Sequence, residues 1–346
     1  MEITVENLIA IYENALTSKP NNDLVYNRLA ELYYAKGNFA AAFDVYHRAL
    51  KLQPEFKISN ENIKLHFLNF QNITKKENSE LYKWTILDIE SVSNDLDSID
   101  LLYMSDLDGI IIKNVFSSKE IETAKKHIES LSSEYEQRFF GEKLGLSIIE
   151  VTTDLDDYYQ KASDFRLLLN QIFVDEFEKR ILNIFNSLHS LKSIKLLERK
   201  NNQICIPASI RIFHPNKGGL PAHTDNAVFE NFGVYNHFKE IKKDVDILSY
   251  FIVIDKPETG GELVLYDLLR EQTTTSMKKM LNSCQKDNFL DSLRKQYINP
   301  DIGDMVIFNS GRIWHKIADF DGDKNRITVG GILAHSQDNQ TIYCVS

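Results

Sequence analysis

The chain from Ile204 onward is dominated by short segments rich in β-branched and aromatic residues. Turn sequences separate them, among them PNKGG at 215–219 and ETGG at 258–261. The segments are Ser209–Phe213, Leu248–Ile254, Glu262–Tyr266, Asp304–Phe308, Trp314–Ala318 and Arg326–Leu333. Many short strands joined by glycine-containing turns favour a β-sandwich or a jelly-roll barrel. We therefore predict an all-β core in this part of the chain.

Helical patterns flank and interrupt these strands. Gly109–Val115 reads as a short buried strand, and Ser117 and Glu120 have the spacing of a capping box for a helix that runs to about Leu131. Residues 154–190 place apolar side chains at helical spacing, which predicts helices packed on a sheet. We also predict helix in the polar insertion Leu268–Tyr297, and a loop at Asn236–Asp246. The fold class is therefore α+β.

The first 70 residues contain an internal repeat. Tyr12 and Ala15 recur 34 positions later as Tyr46 and Ala49, and Pro20 likewise recurs as Pro54. This period resembles the tetratricopeptide helical pair, with Gly37 at the turn between two helices. Such a module offers a groove for a peptide or protein partner, or serves only as a helical brace or a contact for self-association. Both interpretations stay open at this point.

Composition and charge exclude several classes of function. The chain carries 40 basic and 50 acidic residues, a formal net charge of −10, which disfavours binding to nucleic acid or to an anionic membrane. No apolar run approaches the length that spans a bilayer. The three cysteines, Cys205, Cys284 and Cys344, are odd in number and widely scattered, which argues against a disulfide framework or a zinc knuckle. We expect a reduced, cytoplasmic protein.

Three side chains have the composition of a metal site. His223 and Asp225 are two positions apart after the apolar run Ile210–Phe213, and in a strand such residues point to the same face. His315 follows a glycine-containing turn on a predicted strand. Two imidazoles and one carboxylate suit a divalent metal and form the set that leaves open positions on non-haem Fe(II). Eleven residues after His315, Arg326 and Thr328 share one face of the next strand and suit the capture of a carboxylate.

In this order, His223, Asp225, His315 and Arg326 resemble the Fe(II)/2-oxoglutarate-dependent oxygenases. The core of that family is a double-stranded β-helix of the jelly-roll type, and the resemblance covers about residues 105–340. It implies that the two histidines and Asp225 hold Fe(II), while Arg326 and Thr328 hold the distal carboxylate of 2-oxoglutarate. It also implies O2 as a second co-substrate, with succinate and CO2 as co-products.

The same resemblance indicates what kind of oxidation to expect. In the halogenating branch of the family the triad carboxylate is replaced by a small residue, and chloride takes the vacated position. Since Asp225 is present, hydroxylation or desaturation of an unactivated C–H bond is favoured, with a small amino-acid-like or natural-product molecule as the first choice of substrate. Relatives that act on peptidyl proline often use lysine where this chain has Arg326, and aspartyl/asparaginyl hydroxylases usually lack the triad carboxylate. Arg326 and Asp225 therefore weaken an assignment to either of these two subfamilies.

Four further residues are candidates for substrate binding. Arg211 lies on the strand before the triad, and Arg312 lies just before the third ligand, His315. Either cation could bind a substrate carboxylate or phosphate. Asn226 and Trp314 are neighbours of metal ligands, which suggests a supporting hydrogen bond or a pocket wall. Three of them have a structural alternative: exposure or a surface ion pair for the two arginines, and core packing for Trp314.

The predicted organisation is a tetratricopeptide-like module at 1–70, a polar linker at 71–83 and an oxygenase domain at 84–346. Two other functions stay open. One is a peptide or protein hydroxylase that docks its substrate on the helical repeats. The other is a non-catalytic scaffold in which the repeats bind a partner and the jelly roll is silent.

Overall fold

The computed structural model describes most of the chain. Its described residues are 4–36, 38–61, 63–64, 81–92, 98–138, 141–148, 155–174, 176–189, 193–199, 203–226, 247–274, 277, 281, 286–338 and 340–346. The chain forms two compact units, one of Met1–Leu81 with Tyr266–Lys295 and one of Tyr82–Leu265 with Gln296–Ser346. The predicted loop Asn236–Asp246, Gly37 and most of the predicted linker lie outside the described residues.

The first unit begins with three helices, α1 (Val5–Ser18), α2 (Asp23–Ala35) and α3 (Phe39–Leu52). Each has a polar N-cap whose side chain accepts a main-chain N–H, namely Thr4, Asn22 and Asn38. The second copy of the repeat is buried at Tyr46 and Ala49, whereas Tyr12 and Ala15 of the first copy are only partly buried. The rings of Tyr26 and Tyr46 each lie 6.0 Å from that of Phe56. The helical prediction is confirmed, while the assignment to tetratricopeptide repeats and the domain boundaries stay predictions.

The second unit is built on a large sheet. Its strands are β1 (Trp84–Asp88), β2 (Gly109–Lys113), β3 (Glu136–Gln137), β4 (Glu142–Leu144), β5 (Ser193–Leu196), β8 (Ser209–Phe213), β9 (Leu248–Asp255), β12 (Met305–Phe308), β14 (Arg326–His335) and β15 (Thr341–Val345). The main path runs β1-β2-β12-β9-β14-β8-β4-β3, and β15 pairs with β14 and β5. Strand β14 is central, since it pairs antiparallel with β8, β9 and β15.

The remaining strands are short or lie outside this sheet. They are β6 (Glu198–Arg199), β7 (Gln203–Ile204), β10 (Leu263–Leu269), β11 (Lys295–Ile298) and β13 (Ile313–Ile317). The beginning of β10 lies beside the end of β13, where the Ala318 N–H donates to the Glu262 carbonyl at 2.9 Å. Strand β13 carries His315 and faces the turn that contains His223.

Helices of the second unit pack against one face of the sheet. They are α4 (Ser98–Met104), α5 (Ser118–Ser130), α6 (Leu155–Ile172) and α7 (Phe177–Ser187), and α8 (Lys286–Asp291) lies in the first unit. The apolar stripe predicted at 154–190 is buried in one core with the strands, as Phe165, Phe177 and Ile181 show. The capping box of α5 is present, because Ser117 and Glu120 exchange the two expected hydrogen bonds.

The predicted fold class, α+β with a double-stranded β-helix core, is confirmed. All six strands predicted after Ile204 are present, and β8 has the predicted bounds. The insertion Leu268–Tyr297 is less helical than predicted, because β10 continues to Leu269 and Lys295–Ile298 is a strand. Among the described residues, no helix combines the length and apolar character required to cross a membrane.

Candidate metal centre

The main chain brings the two predicted histidine ligands together. His223 and His315 form an antiparallel β-bridge in which each N–H donates to the carbonyl of the other at 2.9 Å. The Asp225 N–H donates to the Ser310 carbonyl, also at 2.9 Å, so the turn that holds the carboxylate is fixed to the segment before β13. The two imidazole rings are 4.4 Å apart between centroids.

His223, Asp225 and His315 offer ligand atoms that all lie within 4.8 Å of one another. The Nδ1 atom of His223 is 2.7 Å from the Pro221 carbonyl, and that of His315 is 2.9 Å from the Ile313 carbonyl. Because a carbonyl only accepts, both Nδ1 atoms carry the proton and both Nε2 atoms keep a free lone pair. Two Nε2 atoms and one carboxylate therefore converge as a facial set for a divalent metal.

The protonation states also suit metal binding. Burial raises the pKa of Asp225, but the close contacts with His223 and His315 and the hydrogen bond from Ser249 outweigh burial and hold this pKa well below its ordinary value. Burial, together with the neighbouring His223, lowers the pKa of His315 to about 4. At neutral pH the site thus presents a carboxylate and a neutral His315, the forms that ligate metals.

Ser249 contacts the candidate ligand Asp225 and was not among the residues predicted from the sequence. Its hydroxyl donates to Oδ2 of Asp225, while Oδ1 of the same carboxylate lies 3.3 Å from Nε2 of His223. Ser249 thereby fixes the orientation of a candidate metal ligand. A serine on a buried strand carries no sequence signal for this role, because its contact with Asp225 is made only by the fold.

Arg326 has the environment expected of a carboxylate anchor. It is 6% exposed, its Nε–H donates to the Gly261 carbonyl at 2.8 Å, and its guanidinium lies over the Phe251 ring, 5.4 Å from the centroid. Gly261 has φ of 72°, a left-handed conformation that favours glycine. Burial, and then the charge of Arg211, lower the pKa of Arg326 to about 10, so it remains a cation at neutral pH.

The anchor and the metal set lie on the same face of the sheet. Strand pairing places Thr328 opposite Val253 and Ile332 opposite Ser249. Residues two apart on a strand share a face, so Thr328 and Ile332 point to the side where Ser249 meets Asp225. The structure thus brings together the predicted anchor and all three predicted ligands inside the barrel.

The four substrate candidates are placed differently. Arg211 pairs with Thr328 across the sheet and shares its face. Asn226 is buried, and its Oδ1 accepts the Ile247 N–H at 3.3 Å, which fixes the end of the ligand turn. Trp314 alternates with His315 on β13 and points to the opposite face, and Arg312 lies within electrostatic reach of Asp108. The substrate roles of these residues stay predictions.

Residues 81–346 match the family described as carrier-protein-independent halogenase WelO5. The chain belongs to this family. The matched range spans the positions of His223, Asp225, His315 and Arg326. Since halogenases of this kind form a branch of the Fe(II)/2-oxoglutarate oxygenases, the family resemblance drawn from the triad is confirmed. Fe(II), 2-oxoglutarate and O2 are accordingly the cofactor and co-substrates, and the converging His-Asp-His set fits the metal.

Solved structures align with this chain at low sequence identity. The N-substituted L-amino acid dioxygenase from Burkholderia ambifaria AMMD is 15% identical, with a TM-score of 0.44 over 71% of this chain and 89% of that chain. HygX from Streptomyces hygroscopicus is 12% identical, with a TM-score of 0.37 over 67% of this chain and 84% of that chain. A Pseudomonas putida prolyl-4-hydroxylase is 12% identical, with a TM-score of 0.33 over 69% of this chain and 97% of that chain. Similarity at this level indicates no substrate. No curated protein matches the chain.

Proposed function

We propose that the protein is an Fe(II)- and 2-oxoglutarate-dependent hydroxylase of an unactivated C–H bond in a small amino-acid-like or natural-product substrate. The observation that carries this proposal is the Asp225 carboxylate, which converges with His223 and His315. In a halogenase this position holds a small residue, and the vacancy admits chloride. Here Asp225 supplies a carboxylate at that position, which favours hydroxylation over halogenation.

The surroundings of Asp225 support its role as a ligand. Its side chain is 17% exposed, and both oxygens are engaged, Oδ1 near His223 and Oδ2 with the Ser249 hydroxyl. A carboxylate fixed at both oxygens beside two Nε2 lone pairs is preorganised for a cation. The Phe308 ring stands edge-on to His315 at 4.9 Å and 88°, which packs the ligand on its apolar side.

Each group of the chain has a definite task in this function. His223, Asp225 and His315 would hold the Fe(II), which, with O2 and 2-oxoglutarate, supplies the oxidising power for C–H cleavage. Arg326 and Thr328 hold the distal carboxylate of the oxo acid through a charged fork and a hydroxyl. Because Arg326 is buried, its charge would act on that carboxylate with little screening by solvent.

The metal and co-substrate sites are tested first, without any substrate. Anaerobic addition of Fe(II) and 2-oxoglutarate should give a weak visible charge-transfer band, and His223→Ala should abolish it while circular dichroism stays native. The absence of the band from the wild-type protein would contradict the proposal.

The reaction is tested with a panel of metabolites and peptides screened for succinate release. Active mixtures are then analysed by mass spectrometry in the presence of chloride. We expect a gain of one oxygen, and loss of this product in Asp225→Gly and Asp225→Ala with the fold retained. A chlorinated product from the wild-type protein, or full activity of Asp225→Ala, would overturn the assignment to hydroxylation.

Halogenation is the second candidate, because the matching family is described as a halogenase. The mass shift in the preceding experiment separates the two reactions. A peptide or protein substrate, self-association or a partner bound through the helical repeats, and a cytoplasmic location stay predictions. A scaffold without catalysis would capture its partner equally well after Asp225→Ala and after metal removal.

A further inference from the structure

Three cationic residues lie side by side on the interior face of the barrel. Thr328 on β14 pairs with Arg211 on β8, and Arg211 pairs with Lys143 on β4. Residues paired across strands point to the same face. Arg326, two positions before Thr328, shares this face, and it is paired with Phe213. The cationic row thus starts at the co-substrate anchor and continues onto the next two strands.

The two arginines of this row are cross-strand neighbours, and within the described parts of the chain no ion pair joins either of them to a carboxylate. Arg211 is the diagonal cross-strand neighbour of Arg326, and its charge is strong enough to act on the Arg326 guanidinium. Two guanidiniums in a partly buried position repel each other unless an anion lies between them.

The position of Arg211 limits which anion this is. Side chains of directly paired residues have Cβ atoms roughly 5 Å apart, so the Arg211 guanidinium reaches the space in front of the Thr328 hydroxyl. That space is where the Arg326 fork and Thr328 meet a carboxylate. An anion held between the two arginines would therefore also contact Thr328.

We propose that Arg211 is the second guanidinium of the co-substrate anchor, so that the distal carboxylate of 2-oxoglutarate is held between Arg326 and Arg211 with Thr328 as a third donor. This inference rests on the proposed function. It replaces the role in substrate binding that the sequence suggested for Arg211, and it makes Arg211 a positioning residue for the oxo acid.

The test compares two oxo acids in anaerobic titrations of the Fe(II)-loaded, full-length protein, with the charge-transfer band as the readout. Both 2-oxoglutarate and pyruvate chelate iron through a keto group and an adjacent carboxylate, but pyruvate lacks the distal carboxylate. In Arg211→Gln, we expect the Kd of 2-oxoglutarate to rise about 10- to 100-fold, the range of a lost charged hydrogen bond. The Kd of pyruvate should stay unchanged.

Two matched variants complete the experiment. Arg211→Lys keeps the charge but not the fork, and should recover part of the affinity for 2-oxoglutarate. Arg199→Gln removes an exposed arginine on β6, away from the anchor, and should leave both Kd values unchanged.

Two results would overturn the inference. One is an unchanged Kd of 2-oxoglutarate in Arg211→Gln with a raised KM for the substrate to be hydroxylated, which would return Arg211 to substrate binding. The other is an equal loss for pyruvate, since the effect would then not act through the distal carboxylate. A wild-type protein without the band would instead contradict the proposed function itself, which is a different observation.

Discussion

His223 and His315 exchange two main-chain hydrogen bonds of 2.9 Å, so the two imidazole ligands are joined through their backbones before any metal binds. Both rings are also held at Nδ1 by carbonyls of their own segments. The geometry of the site is therefore a property of the folded chain, and the metal binds to a site that is already formed.

Metal removal should consequently leave the fold intact. We expect the chelated protein to keep its circular dichroism spectrum and to unfold cooperatively. Ni(II) at one hundred times its Kd should raise the free energy of unfolding by about 2.7 kcal/mol, by mass action. His315→Ala should abolish this increase. A metal-free protein without native secondary structure would contradict the prediction.

Ser249→Ala should weaken metal binding without removing a ligand. Loss of the hydrogen bond to Oδ2 frees the Asp225 carboxylate to rotate, and loss of such supporting contacts typically costs about 10- to 100-fold in metal affinity or activity. Competition with a chelator of known affinity measures the Fe(II) Kd. Ser209→Ala is the control, because the buried Ser209 hydroxyl accepts a hydrogen bond from the Ser346 hydroxyl at 3.0 Å and contacts none of the candidate metal ligands. Equal effects of the two variants would contradict the proposed role.

Gly261→Ala should impair the oxo-acid anchor. A Cβ at this position would lie 2.9 Å from Pro257 Cγ and 3.3 Å from Arg326 Cδ, in a backbone with φ of 72°. Since Arg326 donates to the Gly261 carbonyl, we expect a higher Kd for 2-oxoglutarate in the band titration and a stability loss of about 1–2 kcal/mol. Gly322→Ala carries similar strain at φ of 108° with nothing within 4 Å, and should lose stability alone. An unchanged Kd in Gly261→Ala would contradict this coupling.

The stability contributed by Glu120 should be lost in acid. Burial raises the pKa of this carboxyl, but hydrogen bonds with Arg180 and Ser117 outweigh burial and lower the pKa to about 2. A depressed folded-state pKa contributes stability above the unfolded value near 4.5, and that contribution disappears as the pH falls towards 2. Urea unfolding at pH 7, 5 and 3 should show that the difference between wild type and Glu120→Gln shrinks below pH 5. The exposed Glu134→Gln is the control, and a difference independent of pH would refute the linkage.

The buried thiols should be unreactive in the native protein. Burial raises the pKa of Cys205 to about 11 and that of Cys344 to about 12. Only the thiolate reacts with a disulfide reagent, so very little reactive form exists at pH 8. In a Cys284→Ser background, Ellman's reagent should detect no thiol before urea is added and two afterwards. Rapid reaction of the native protein would contradict the burial of both residues.

Much of the catalytic unit could be predicted because its signals are local. The bounds of β8 follow from an apolar run closed by a turn that contains proline and glycine, and the period of two places Arg326 and Thr328 on one face of β14. The strand period does not apply to His223 and Asp225, because they lie outside the strands and only His223 makes a β-bridge. The convergence of His315 on His223 and Asp225 required that the predicted strand carrying His315 pair with the turn at Pro221–Asn226.

Other features depend on contacts between distant segments and left no such signal. The parallel pair of β5 and β15 joins Ser193–Leu196 to Thr341–Val345, two runs too short to distinguish a strand from a helix. The same ambiguity explains why Lys295–Ile298 was expected to be helical. Ser249 could not be assigned because its partner Asp225 lies 24 residues away along the chain and meets it only in the folded barrel.

The central position of β14 has a consequence for how the site comes apart. Because this strand pairs with β8 and β9 and, towards its end, with β15, its amides are enclosed on both edges. Hydrogen exchange of the amides at Ile327–Gly331 should therefore require opening of the whole sheet. The turn at Pro221–Asn226 is held by a few main-chain hydrogen bonds, so its amides should exchange through smaller fluctuations. Under mild denaturant, we expect deuterium to enter the turn that carries the first two ligands before it enters the strand that carries the anchor.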